Sequence, residues 1–182
     1  MESALPPSSP LGSILNDIQR ALDAQLYYPA LVVALTVPEI CVALTVDNSV
    51  FIREAHYVAF VNKYTTPSEL GVDGQSCYRL RGGVVHRGNA AGHPFFGATN
   101  VMFALPESPV KMHGMALQVG DKVSTAFVLE NFCNEMIAAA HRWYDDHKAD
   151  AKVIENMPKL LSYKPDGLPP FVSGSPMIGC EA

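Results

Sequence analysis

Arg81-Gly82-Gly83-Val84-Val85-His86 sets a guanidinium and an imidazole five residues apart, two groups that together could act on a phosphate. Arginine keeps its charge and presents a planar fork of donors that matches phosphate oxygens. Histidine titrates near neutrality, so it can take a proton from a ribose 2′-hydroxyl or return one to a leaving 5′-oxygen. Attack of that hydroxyl on its own phosphodiester needs this proton traffic and stabilisation of charge on the non-bridging oxygens, and it needs no metal. Cleavage of RNA is therefore within the chemical reach of the pair.

The spacing poses a geometric problem. Five residues along a straight helix turn roughly 140° and rise about 7.5 Å, so the two side chains leave from different faces. The length of the arginine, unwinding at Gly82 and Gly83, or a second subunit donating the other half could bring them together, and the dimer is the most natural of the three. Arg79 and Arg87 flank the pair and would widen a phosphate site. Glu39 lies in an apolar stretch and needs a partner, because an unpaired buried carboxylate is costly. A purely structural role is the alternative, with Arg81 and His86 hydrogen-bonding Glu39 or helix-terminal carbonyls. Arg142-Trp143-Tyr144-Asp145-Asp146-His147 repeats the spacing, but Asp145 and Asp146 are expected to neutralise Arg142 on a solvated helix end.

Other chemistries find little support. His93 and His113 lack ligand spacing, His56 and His141 read as helix-surface residues, and the pair Asp145 and Asp146 has no partner carboxylate, so no metal site is expected. Neither a phosphate-cradling glycine motif nor a G-x-S-x-G elbow occurs, and Cys77 has no evident base. The four cysteines are far apart, as reduced thiols of a cytoplasmic protein would be. No cofactor is expected.

The elements that would position the pair follow from composition and periodicity. A chain of 182 residues, 48% hydrophobic and 17% charged, suits one core-rich domain. A net charge of −5 argues against a broad electropositive face for duplex DNA. Leu26 to Val46 is nearly uncharged, yet Pro29, Pro38 and Glu39 make it a buried core helix rather than a membrane span. Met1 to Pro10, with four prolines and serines in a row before Pro10, reads as a disordered lead-in without a secretory signal. Ile14, Leu15, Ile18, Leu22 and Leu26 recur at helical spacing from Ser13. A second helix follows from Pro29 to about Leu44, apolar on nearly every face and kinked by Pro38. A third, about Arg53 to Tyr64, buries Val58, Ala59 and Val61. Asp73 can cap a helix of about Gly74 to Arg87 that carries the pair.

After Gly88, Val101, Phe103 and Leu105 alternate, and so do Met115, Leu117 and Val119, which predicts a β-hairpin near 100–119. A long helix is expected from Val123 or Ser124 to Lys148, completing one helical domain over 11–164. Residues 165–182 read as an extended tail lying along the surface of the domain or of a partner.

Ile18 to Glu39, together with Cys77-Tyr-Arg-Leu-Arg81-Gly-Gly-Val-Val-His86, resembles the HEPN superfamily, with its two antiparallel helices, an acidic residue in the second and an R-x4-6-H helix. The whole chain resembles short bacterial proteins of that type. The resemblance implies a mainly α, HEPN-like helical bundle with an inserted hairpin, a symmetric homodimer with the motifs facing a shared cleft, and metal-independent endoribonuclease activity of a toxin or defence effector. It also implies that Arg81 binds phosphate, His86 is the acid or base, and Glu39 orients one of them. Active relatives usually carry Asn, Asp or His directly after the arginine, where this chain has Gly82. The alternative is a non-catalytic helical dimer module that binds a nucleotide, RNA or a protein.

Overall fold

The computed structural model describes residues 5–90 and 100–181; His93 lies outside them. The molecule is mainly α, about half helical, with small sheets. At its centre lies α2 (Tyr27–Ala43), whose Ala30, Leu31, Ala34, Leu35, Val37, Pro38 and Cys41 are all buried. A helix that is apolar all round must be surrounded. Here α1 (Pro10–Asp23), α3 (Glu54–Tyr64), α5 (Gly74–Arg87) and α6 (Leu129–His147) pack around it. The helix runs on through Pro38. Among the described residues no helix is long and apolar enough to cross a membrane.

Several expectations change. The stretch 5–10 is not a lead-in without structure: Leu5 is buried in the core, the Ser9 hydroxyl accepts from the Gly12 N–H, and Pro10 opens α1. One leucine inserted beneath a capped helix end orders a segment whose composition alone signals none. In α3 the buried residues are Tyr57, Phe60, Val61 and Tyr64, whereas Val58 is half-buried and Ala59 exposed. The aromatic rings claim the interior because they remove more apolar area from water. A short helical turn, α4 (Pro67–Leu70), then leads into α5.

The expected hairpin is replaced by a three-stranded sheet in the order β1-β3-β2, where β1 is Asn100–Ala104, β2 is Met115–Val119 and β3 is Lys122–Val128. β1 and β2 do not pair with each other; β1 runs parallel and β2 antiparallel to β3. Lys122–Val128 had the helical pattern of the element that follows it, but it forms the central strand and α6 begins only at Leu129. Gly120, at φ +59, opens the two-residue turn between Val119 and Lys122, and that positive φ is what such hairpin turns demand. Phe127 of β3 packs against Phe103 of β1 and Phe132 of α6, fixing the sheet to the helices.

After α6 come α7 (Ala151–Asn156), a 3-10 turn (Met157–Lys159) and two small antiparallel ribbons. In one, β4 (Ser162–Lys164) pairs with β7 (Met177–Gly179); in the other, β5 (Gly167–Leu168) pairs with β6 (Val172–Ser173). The tail thus folds back onto the end of the helical region, and Lys164 closes it against Glu181 at 2.8 Å.

The helix that carries the candidate pair is set by its first cap. The Asp73 carboxylate accepts from the Ser76 N–H and hydroxyl, both at 2.9 Å. Burial raises its pKa, but these hydrogen bonds outweigh burial and hold it below the ordinary carboxylate value. Asp73→Ala is expected to cost about 1 kcal/mol in urea unfolding. Because the folded-state pKa is depressed, the advantage of the wild type over the variant is full above about pH 4 and vanishes as pH falls through the folded value.

Candidate active site

α5 is continuous from Gly74 to Arg87 and ends on Gly88, whose φ of +66 turns the chain out of the helix. The helix does not unwind at the two glycines inside it. Gly83 is required for another reason: a Cβ there would lie 2.5 Å from the Asn89 carbonyl oxygen, where the chain folds back after the cap. A Cβ on Gly82 would meet nothing. Gly82→Ala is therefore expected to stabilise the protein by about 0.5–1 kcal/mol through helix propensity alone. Gly83→Ala should destabilise it by about 1–3 kcal/mol, as a backbone clash does. Thermal unfolding of the two variants separates these outcomes.

The reach of the arginine solves the spacing problem within one chain. Arg81 Nη1 lies 2.8 Å from His86 Nε2, and Nη2 donates to a Glu39 carboxylate oxygen on α2. A second subunit is not needed to bring the two together, contrary to the expectation from helix geometry. A long flexible side chain lying along its own helix crosses the 140° that separates the two Cα–Cβ directions. Arg81 is 14% exposed and Glu39 33%, while His86 stands in solvent. The Arg81 Nε is enclosed and has no hydrogen-bond partner.

Tyr57 of α3 is buried, close enough to feel the charges of Arg81 and Glu39. Its hydroxyl donates to the Leu35 carbonyl at 2.9 Å and contacts Cys77 Sγ at 3.5 Å. Burial holds the phenol well above its usual pKa, further raised by Cys77 and opposed by the Arg81 charge. Burial also pushes the Cys77 thiol up to about 12. It is a packing residue rather than a nucleophile, since a reactive cysteine must be a thiolate.

The flanking cations diverge. Arg79 faces α3, with Nη2 3.5 Å from the Glu54 carboxylate that Gln75 also contacts. Two residues along a helix carry it about 200° away from Arg81. Arg87 is exposed at the helix end beside His86 and enters none of the ion pairs among the described residues.

The second R-x4-H pair does not meet. Arg142 donates from Nε to the Tyr64 carbonyl at 2.7 Å and from Nη2 to Glu135. His147 reaches the Tyr64 hydroxyl at 3.1 Å and stacks on Trp143. The expected neutralisers of Arg142 are engaged elsewhere, Asp145 with Lys148 and Asp146 with Lys63. Glu135, 7% exposed, is the true partner. Its signal in the sequence was a carboxylate set among the core positions Phe132, Met136 and Ala139.

His113 is likewise structural, its Nδ1 accepting from the Val128 N–H at 3.0 Å. His56 caps α3 by accepting from the Arg53 N–H. Among the described residues no group of three or more His, Cys, Asp or Glu could hold a metal ion. A groove of about 470 Å³ between the start of α1 and the β4–β7 ribbon, lined in part by Ser13, Lys164 and Glu181, involves none of the candidate residues. No family model, curated protein or solved structure matches the chain, which leaves the geometry of Glu39, Arg81 and His86 as the guide to its chemistry.

Proposed function

We propose that this chain is a cytoplasmic, HEPN-like homodimer that binds RNA and cleaves it without a metal. The observation that carries the reading is the 2.8 Å approach of Arg81 Nη1 to His86 Nε2 at the surface end of α5. A cation with phosphate-matching donors and a titratable base are thereby within reach of one phosphodiester. His86 takes the 2′-hydroxyl proton as the 2′-oxygen forms its bond to phosphorus. Arg81 neutralises charge on the non-bridging oxygens, and the proton returns to the departing 5′-oxygen, leaving a 2′,3′-cyclic phosphate and a 5′-hydroxyl. Glu39 positions Arg81. Arg87 supplies a further contact to a neighbouring phosphate, with Arg79 behind it once drawn from Glu54. A dimer presents two such pairs to one strand.

A second reading is favoured by the closure of Glu39 on Arg81, which neutralises the arginine where a catalytic phosphate would need it. In that reading the chain is a non-catalytic dimer module that binds a nucleotide, RNA or a protein. End-labelled RNA incubated with purified protein and EDTA separates the two. Cleavage that survives EDTA, yields cyclic phosphate ends, and disappears in folded Arg81→Ala and His86→Ala supports the nuclease. Retention of RNA by the wild type without cleavage supports the module.

A further inference from the structure

We infer that the Arg81–His86 hydrogen bond is a latch that holds the site at rest and that a phosphate group opens. The inference rests on the proposed phosphate chemistry and adds how the site is regulated. A guanidinium has five N–H donors and no acceptor, so Arg81 Nη1 donates and His86 Nε2 accepts. The ring proton of a neutral His86 therefore sits on Nδ1. In that state neither ring nitrogen can receive a proton from a substrate: the lone pair of Nε2 is engaged and Nδ1 already carries hydrogen.

Both terminal nitrogens of the arginine are engaged as well. Nη2 serves Glu39, Nη1 serves His86, and the enclosed Nε finds no partner. The acceptor on Nη1 is a neutral ring, so a charged acceptor can displace it. A phosphate oxygen is such an acceptor. Its hydrogen bond to a guanidinium joins two opposite charges, whereas the bond to the ring has charge on the donor side only. When phosphate takes Nη1, His86 Nε2 is released with its lone pair free, next to the phosphate and able to act as the base. Once protonated, His86 has no acceptor to offer Arg81, so the latch closes again only after the proton and the phosphate have left. Glu39 stays on Nη2 throughout and keeps the guanidinium in place.

The test reads the ring nitrogens of His86 directly. Uniformly 15N-labelled wild-type protein is followed by long-range 1H–15N correlation at a pH where the ring is neutral, with the His86 signals identified by their loss in His86→Gln. In the free protein the Nδ1–H tautomer should dominate, the minor form of histidine in water. Inorganic phosphate, or a 2′-deoxy oligonucleotide that cannot be cleaved, should shift the Nε2 resonance as that nitrogen loses its bond from Arg81; chloride at matched ionic strength should not. An Nε2–H ring in the free protein, or ring shifts unchanged through the phosphate titration, overturns the latch, whether or not RNA is cleaved. Release of His86 by phosphate without RNA cleavage upholds the latch and removes the nuclease reading. Cleavage with an unresponsive ring does the reverse.

Discussion

Arg142→Ala is expected to lower the free energy of unfolding by about 3 kcal/mol. Glu135 is 7% exposed and its carboxylate faces Arg142 Nη2 and the Thr66 N–H. Removing the arginine leaves a buried charge with one backbone donor and strands the Tyr64 carbonyl as well. Breaking a buried pair costs about 3–5 kcal/mol. The lower end applies because the Arg142 side chain is 44% exposed, so water can enter the space it leaves. Arg20→Ala provides the contrast: its pair with Asp17 is exposed on both sides, and its loss should stay within about 0.5 kcal/mol. Urea unfolding at constant m-value measures both. A loss below about 1 kcal/mol for Arg142→Ala would show that the junction of α3 and α6 does not depend on this pair.

Arg81→Lys should leave the protein folded and reduce RNA cleavage by about 10²–10³-fold, the usual cost of one lost donor to a developing oxyanion. Lysine preserves the charge, but a single ammonium cannot hold Glu39 with one nitrogen and serve His86 or phosphate with another. His86→Ala should cost about 10²–10⁴-fold, the range for a lost general base. Single-turnover rates with excess enzyme, alongside circular dichroism, check both. Full activity in Arg81→Lys would mean that only the charge matters and that the fork plays no part.

The helices were legible because their signals are local. Asp73 before Gly74, Gly88 after Arg87, and the all-apolar run of α2 each state their own place in the fold. The sheet was misread for the opposite reason. Alternation in 101–105 and 115–119 marks strands but says nothing about which strands pair, and the intervening partner, Lys122–Val128, continued into a helix with no break in apolar periodicity. Leu5 is a single residue among prolines and serines, too little to outweigh its surroundings until a core exists to receive it.

By itself, the order of residues determined that α2 would be enclosed, that Asp73 and Gly88 would bound the helix bearing Arg81 and His86, and that Glu39 would need a partner. Hydrophobic periodicity and capping act over a few residues, so the chain carries them openly. Only the tertiary structure decided which partner Glu39 received, that Arg81 spans to His86 within one chain, and that Arg142 turns instead to Glu135 and Tyr64. The two R-x4-H segments have the same spacing and opposite outcomes, because the bonds a long arginine makes depend on which acceptors the packing of other helices brings within its reach.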